Sequence, residues 1–230
     1  VLKKENGWYM IQTPDNYISW VDPSEITPIT ENELQNWPQS ERVIFTGNFA
    51  EVFRDESFEQ PLSDISMGNI LEIVNQNRRR LELRFPDGRT GFVANTGWTD
   101  FETFKNETQP DTTNITNLAR QFTGRPYLWG GTSSGAMDCS GFSKMVYFMN
   151  GVILARDASL QVRHGQLVEA GESFSQFQPG DLLFFGRMTA DSTEKITHVA
   201  ISTGETEFIH ASVRIKENSF NPASDIYSEY

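Results

Sequence analysis

The chain opens with two short stretches in which aromatic or β-branched residues alternate with polar ones. These stretches, residues 7–12 and 17–21, flank Pro14-Asp15-Asn16, a turn signal, and we predict a strand for each. Two strands do not form a stable unit alone, so residues 1–30 are interpreted as a partial small barrel. Its remaining strands are expected upstream or from another part of the chain. The polar segment 31–42, with one possible short helix, is predicted to be a linker.

Strand-like stretches separated by turn residues recur from residue 43 to residue 101. Pro86-Asp87-Gly88 is predicted to close a hairpin. Gly91-Phe92-Val93 follows a strand pair and a turn, as Ser19-Trp20-Val21 does, which suggests an internal repeat of one barrel module. Residues 43–101 are therefore predicted to form a second small barrel. Its predicted strands cover residues 50–53, 69–74, 81–85 and 90–93.

Beyond the polar stretch 102–113 the apolar residues recur every three or four positions, which is typical of helices. Two helices are predicted, the first ending near Gly124 and the second near Gly151, because glycine is favoured just after a helix. Their apolar stripes are Ile115, Leu118, Ala119 and Phe122, and Phe142, Met145, Val146 and Met149. Strands are then predicted at residues 181–185, 198–202 and 207–211. Helices followed by antiparallel strands predict an α+β domain over residues 112–230.

Length and charge narrow the possible functions. The 230 residues exceed one average domain of roughly 100–150 residues, in agreement with several units. A net charge of −12, from 31 acidic and 19 basic residues, argues against nucleic acid or an anionic membrane as a partner. The apolar runs are far shorter than the roughly 20 residues that span a bilayer, so membrane insertion is not expected. No signal peptide is visible, and because Val1 is not an initiator residue we expect a mature or trimmed form.

The single cysteine, Cys139, stands at the predicted first turn of the second helix, after a glycine-rich loop. Unpaired backbone N–H groups and the positive end of the helix dipole stabilise an anion there, so we expect the thiol to ionise more easily than a free one. A thiolate held by a nearby histidine is a nucleophile. The alternative is a small buried cysteine that only fills space behind the helix.

Two of the three histidines, His198 and His210, fall on consecutive predicted strands. If residues 203–205 form a three-residue turn, the two histidines stand directly opposite each other, with Cβ atoms about 5 Å apart. We then expect His198 to act as a base and His210 to orient it. The alternatives are two core histidines bonded to backbone carbonyls, or a zinc site, which the absence of clustered ligand spacings disfavours. His164 lies in a polar region and receives no role.

Five motifs stand in order along the C-terminal half: Arg125-Pro126-Tyr127-Leu128-Trp129-Gly130-Gly131, Asp138-Cys139-Ser140-Gly141-Phe142, Pro179-Gly180-Asp181-Leu182-Leu183-Phe184-Phe185, Thr197-His198-Val199-Ala200-Ile201 and Ile209-His210-Ala211-Ser212. Together they resemble the NlpC-type cell-wall peptidases, a papain-like family, over residues 112–215. Bacterial SH3-like domains commonly accompany that family, and residues 1–101 resemble them. The resemblance implies an α+β papain-like peptidase domain preceded by small all-β SH3-like barrels.

The resemblance implies a γ-D-glutamyl-L-diamino acid endopeptidase that hydrolyses peptidoglycan stem peptides through a thioester. By motif, Cys139 is the nucleophile, His198 the general base and His210 its orienter. Tyr127 is expected beside the nucleophile, where it helps to bind the reacting carbonyl together with the backbone N–H of Cys139. Trp129 is interpreted as core packing. No metal and no organic cofactor is implied.

In the subgroup with two SH3-like domains, the resemblance implies a substrate with a free N-terminal L-alanine. Asp138, Ser140 and a barrel tyrosine, matched here by Tyr17, are expected to hold that amine, and Asp138 is also expected to cap the helix. Such an enzyme would trim released peptides rather than intact wall. We therefore expect muropeptides as partners and a monomer in the bacterial cell envelope, periplasmic or secreted, with cytoplasmic recycling as the alternative.

Two features depart from the family pattern. The first barrel lacks its opening strands, and the chain stops soon after the strand of His210, so either the given chain is incomplete or the last strand of the family is absent. The alternative function is a non-catalytic cell-wall binding protein, whose barrels bind and whose peptidase domain no longer cuts. The presence of Cys139, His198 and His210 argues against it, since a decayed site usually loses one of them.

Overall fold

The computed structural model describes residues 1–171, 174 and 176–229. The chain divides into two compact units, Val1–Thr108 and Gln109–Tyr230. The first consists mainly of antiparallel β-sheets, and the second combines helices with a sheet. This order of an all-β region followed by an α+β region confirms the predicted fold class. In the described part of the chain, no helix has the length and apolar character that crossing a membrane requires.

A three-stranded antiparallel sheet opens the first unit, in the order β1-β2-β3. Its strands are β1 (Lys3–Glu5), β2 (Trp8–Gln12) and β3 (Ile18–Val21). The two predicted strands are therefore confirmed, and β1 pairs with β2 as a third. The predicted linker contains the short helix α1 (Glu31–Asn36), which begins with a capping box formed by Thr30 and Glu33.

A second sheet of seven antiparallel strands follows, in the order β10-β4-β7-β8-β9-β5-β6. The strands are β4 (Arg42–Phe45), β5 (Phe49–Phe53), β6 (Pro61–Ser66), β7 (Ile70–Gln76), β8 (Arg80–Arg84), β9 (Thr90–Ala94) and β10 (Trp98–Asp100). Their apolar side chains form one core, with Val43, Phe45, Val52, Ile65, Leu71, Leu81, Leu83 and Val93 buried. The four predicted strands are present, whereas β4, β6 and β10 were not predicted. The helix α2 (Phe101–Glu107) follows and is capped by Asp100, whose side chain accepts a hydrogen bond from the N–H of Thr103.

The second unit places its helices before its sheet. The elements are α3 (Thr112–Gln121), β11 (Thr132–Ser133), β12 (Ala136–Met137), α4 (Cys139–Phe148), α5 (Ala158–Gln161), β13 (Leu182–Met188), β14 (Glu194–Gly204), β15 (Glu207–Ala211) and β16 (Ile215–Ser219). The last four strands form an antiparallel sheet in sequence order. Both predicted helices and all three predicted strands are confirmed. The alternative in which no strand follows that of His210 is wrong, because β16 pairs with β15 along its length.

The helix α4 packs against β14, which brings the start of the helix to the middle of the sheet. Phe142 and Val146 from the predicted apolar stripe are fully buried, and the ring of Phe142 meets that of Phe122 edge to face. Val199 and Ile201 of β14 are also fully buried. This core fixes the first turn of α4 against the strand that carries His198.

Candidate active site

Cys139 is the first residue of α4, as predicted. Asp138 caps the helix, since its Oδ1 accepts the N–H of Gly141 at 2.7 Å. The cysteine is buried and packs with Ala158 and Val199. Gly141 allows the glycine loop to approach the helix, because a Cβ at this position would collide with the carbonyl of Gly131. The loop and the first helical turn therefore form one rigid support for the sulfur.

The thiol of Cys139 does not ionise more easily than a free thiol, contrary to the prediction. Burial raises its pKa, and hydrogen bonds donated by the backbone N–H groups of Val199 and Ser140 offset this only in part. The negative charge of Asp138 raises the pKa further. The helix start does favour an anion, but the apolar neighbours of the sulfur disfavour it more. The resting thiol is therefore protonated at neutral pH, and a base must remove its proton.

The hairpin of β14 and β15 brings the two histidines together in a register that differs from the predicted one. Ile201 pairs with Ile209 and Ser202 with Phe208, and a bulge precedes the pair formed by Gly204 and Glu207. His198 therefore stands diagonal to His210 rather than directly opposite. Because the shift is an even number of residues, both side chains stay on the same face of the sheet. The rings meet edge to face, with centroids 5.0 Å apart.

A chain of hydrogen bonds runs from His198 into the sheet. His198 Nε2 lies 2.7 Å from His210 Nδ1, and His210 Nε2 lies 2.9 Å from Asn218 Oδ1. The contact with His210 involves Nε2 of His198, and Nδ1 is the other nitrogen of that ring. The predicted hydrogen-bond contact between the two histidines is present, and their roles as base and orienting group stay a prediction. Asn218 was not predicted.

Tyr127 lies in the loop before the glycines, where its backbone N–H bonds to the carbonyl of Val213. Burial raises the pKa of its hydroxyl, and the negative charges that Cys139 gains on ionisation and that Asp138 carries raise it further. The hydroxyl therefore remains protonated and can donate a hydrogen bond near the sulfur. Within the described residues, no group of three or more His, Cys, Asp or Glu side chains could hold a metal ion.

Comparison with known proteins relates the region that carries this site to a protein family. Residues 124–230 match the sequence profile of the NlpC/P60 family. These residues form an NlpC/P60 domain. A protein of Bacillus cereus named gamma-D-glutamyl-L-lysine dipeptidyl-peptidase is 25% identical over 219 residues, which are 92% of this chain and 63% of that protein. Dipeptidyl-peptidase 6 of Lysinibacillus sphaericus is 26% identical over 98% of this chain and 80% of its own length.

The fold of the whole chain resembles that of a solved relative. The crystal structure of an NlpC/P60 family protein from Bacillus cereus matches with a TM-score of 0.78, covering 98% of this chain and 75% of that one at 23% identity. The chain thus spans less than two thirds of the first of these relatives, four fifths of the second and three quarters of the solved structure. The similarity of fold extends beyond the NlpC/P60 domain into the all-β region.

An ion pair that was not predicted stabilises the start of α4 in the NlpC/P60 domain. Arg156 Nη2 lies 2.7 Å from Asp138 Oδ2, and its Nη1 contacts Asp138 Oδ1 and Ser140 Oγ at 3.2 and 3.0 Å. Gly130 N–H donates to the same carboxylate at 3.0 Å. Burial alone would raise the pKa of Asp138, but the hydrogen bonds from Arg156 and Gly141 outweigh it, and the pKa lies below its usual value.

Gln161, which was also not predicted, supports the same helical turn from behind. Its Nε2 donates to the carbonyl oxygens of Ser140 and Ala155 at 3.1 and 2.9 Å, and its Oε1 accepts from Ser143 at 2.9 Å. The side chains of Gln161 and Ser143 are buried, and so is Ser140. These hydrogen bonds join the segment before α5 to the helix that carries the nucleophile.

The remaining predicted residues have different surroundings. Trp129 is 86% exposed, so its interpretation as core packing is wrong. His164 is exposed, in agreement with its lack of a role. Tyr17 is half-buried between the turn at Asn16 and β3, in the first unit, and its role in substrate binding stays a prediction.

Proposed function

We propose that this chain is a cysteine peptidase that hydrolyses the γ-D-glutamyl-L-diamino acid bond of peptidoglycan stem peptides. The observation that carries the proposal is the hydrogen bond between His198, on the strand β14 against which Cys139 packs, and His210 on the neighbouring strand β15. The name of the Bacillus cereus relative supports the choice of bond. The family supports a peptidase acting on the cell wall.

In the proposed mechanism His198 Nδ1 takes the thiol proton as the sulfur of Cys139 attacks the γ-carbonyl carbon of D-glutamate. The hydroxyl of Tyr127 and the backbone N–H of Cys139 donate to the oxyanion that forms. The C–N bond then breaks, and His198 gives its proton to the leaving amine of the diamino acid. Water attacks the resulting thioester with His198 as base, which releases the γ-carboxylate and restores the thiol.

The proposed substrates are released stem peptides with a free N-terminal L-alanine. Asp138 and Ser140 flank the nucleophile and are the proposed amine-binding groups. Because Arg156 already pairs with Asp138, an ammonium group would share this carboxylate with a cation. We therefore expect the free amine to contribute about 1.4 kcal/mol, a tenfold effect. Such work suits a monomer in the bacterial cell envelope or in recycling of wall peptides.

The direct test uses the full chain with L-Ala-γ-D-Glu-L-Lys and its meso-diaminopimelate counterpart, each with a free and with an acetylated N-terminus. We expect cleavage of the γ-D-glutamyl bond and about tenfold lower kcat/KM for the acetylated peptides. Peptides with an α-linked L-glutamate are the matched control and should remain intact. Equal cleavage of free and acetylated peptides would remove the amine proposal alone, whereas intact γ-D-glutamyl peptides with folded protein would contradict the peptidase.

The pH dependence of hydrolysis follows from His198. Burial, and the neighbouring His210, lower the pKa of His198 to about 4. Burial lowers the pKa of His210 to about 4 as well, with Lys216 acting in the same direction. A protonated His198 cannot accept the thiol proton, so kcat/KM should be constant near neutral pH and fall below about pH 4. The two histidines titrate as a coupled pair, so the midpoint of this fall is a property of the pair and not of one ring.

The burial of His198 and His210 also makes the stability of the fold depend on pH, so stability must be measured together with activity. An unfolded histidine binds a proton near pH 6.5, whereas the folded pair does so only near pH 4, so stability falls as the pH decreases from about 6.5 towards 4. Circular dichroism at each pH, and assays at pH 7 after incubation at low pH, separate titration from unfolding. A reversible midpoint near 6.5 would contradict the prediction.

A further inference from the structure

Asn218 of β16 reaches His210 from the neighbouring strand. His210 pairs with Lys216, and Asn218 stands two residues further along β16 on the same face. Its Oδ1 lies 2.9 Å from His210 Nε2, and the exposed fractions of Asn218 and His210 are 7% and 0%. The amide is therefore a buried partner of the histidine that orients the proposed base.

The orientation of the Asn218 amide is set from its other side. Its Nδ2 donates to the carbonyl oxygen of Ile226 at 2.8 Å. A backbone carbonyl only accepts hydrogen bonds, so the NH₂ group must face Ile226 and the oxygen must face His210. The N–H of Ser219 donates to the same carbonyl at 3.0 Å, and Ser228 N–H donates to the carbonyl of Ser219 at 3.0 Å. The segment after β16 is thereby held in place.

A fixed amide oxygen determines the positions of the protons in both rings. His210 Nε2 must carry a proton, because it faces an acceptor. A neutral imidazole carries one proton, so His210 Nδ1 is an acceptor and His198 Nε2 must donate to it across 2.7 Å. His198 Nδ1 is then the unprotonated ring nitrogen, which is the form that a base requires. The low pKa values of both rings agree with the neutral state.

We propose that Asn218 is a positioning residue that selects, through His210, the tautomer in which His198 Nδ1 is the base. This inference rests on the proposed peptidase function. Asn218 does not touch the reacting atoms and acts only through the two rings. Ile226 contributes to the same positioning, because its backbone carbonyl accepts from Asn218 Nδ2 and so prevents the amide group from flipping.

The kinetic test compares two substitutions in the full chain. Asn218→Leu removes the acceptor with little change in size, so the wrong tautomers become accessible and kcat should fall about 10- to 100-fold, as is usual for supporting hydrogen-bond partners. KM should change by no more than about twofold, since no substrate contact is lost. Asn218→Asp keeps an acceptor facing His210 and should restore kcat to within about tenfold of the original protein. Its carboxylate should also shift the acidic limb of the pH profile upwards.

A measurement without substrate tests the tautomer directly. ¹⁵N NMR of the unsubstituted protein at pH 7 should show His198 and His210 both protonated at Nε2 and not at Nδ1. The signals that disappear in His164→Asn belong to the third histidine, which is exposed. Asn218→Leu should show averaged or exchanged nitrogen shifts for His210, and Asn218→Asp should not. Because this readout needs no peptide, it stands even if the protein cleaves none of the proposed substrates.

Three results would overturn the proposal. The first is an unsubstituted protein whose His210 is protonated at Nδ1, which also decides the matter if Asn218→Leu fails to fold. The second is a folded Asn218→Leu variant with unchanged kcat. The third is an equal loss of kcat in the Leu and Asp variants with unchanged histidine tautomers, which would show that Asn218 only supports the fold.

Discussion

Cys139→Ala is expected to lower kcat/KM for γ-D-glutamyl peptides by at least about 10⁴-fold, because loss of a nucleophile removes the covalent route entirely. His198→Ala should have an effect of similar size, since the buried thiol has a raised pKa and depends on a base to lose its proton. The two losses should not add in the double variant, because nucleophile and base act as one unit. Single-turnover assays on the purified chain measure the loss in each single variant and in the double variant.

His164→Ala is the matched control for these substitutions. This histidine is exposed and should leave kcat/KM unchanged. Cys139→Ala should also lower the unfolding midpoint only slightly, because the sulfur fills little space beside Ala158 and Val199. A Cys139→Ala variant that still cleaves peptides at a similar rate would show that another group is the nucleophile.

The pairing of the histidines was predictable, although its register was not. Alternation along residues 198–202 and 207–211 assigns His198 and His210 to one face, and any even shift preserves this face. The loop length determines which residues are directly opposite. Gly204 and Glu205 both adopt positive φ, of 114° and 51°, and Gly204 pairs with Glu207, so the turn is tighter than a three-residue loop. Bulges of this kind have no clear signal in one sequence.

The position of Cys139 at the start of a helix could be predicted, whereas the pKa of its thiol could not. Helix dipole and backbone N–H groups follow from the local sequence. The opposing effect comes from side chains far along the chain, such as Val199, that bury the sulfur. Arg156 and Asn218 were missed for a related reason. Both lie outside any periodic pattern, and their function depends on partners brought close only by the fold.

Strand prediction succeeded where the apolar residues form a clear pattern and failed for several strands that lack one. The strands with alternating apolar residues, such as β8, match their predicted ranges closely. Every residue of β4 is buried, so its pattern does not alternate. β6 begins at Pro61 and carries polar residues along its length, and such a sequence is typical of a loop. β16 resembles a polar tail in sequence because its buried residues include Asn218 and Ser219.

Arg156→Met is expected to destabilise the NlpC/P60 domain by about 3 kcal/mol, because it leaves a buried carboxylate without its cation. The side chains of Asp138 and Arg156 are only 10% and 15% exposed, so water cannot replace the lost partner well. In the unsubstituted protein the pKa of Asp138 is depressed, so its contribution to stability is present above the unfolded pKa and lost as the pH falls through the folded one. Without Arg156, burial raises that pKa, and the deficit should instead grow as the pH rises above about 4.

Urea unfolding at pH 5 and pH 7 measures both the size and the sign of this effect. Arg163→Met, at an exposed arginine in the same segment, is the matched control and should change stability by less than about 0.5 kcal/mol. Asp138→Asn combined with Arg156→Met removes both charges and should recover part of the loss, because no buried charge is left unpaired. The domain needs this ion pair to hold the helix start that carries Cys139, so kcat should fall in the single variant even where it remains folded. If Arg156→Met is as stable as the control at both pH values, the carboxylate does not depend on the guanidinium, and the backbone N–H groups of Gly130 and Gly141 must suffice to stabilise it.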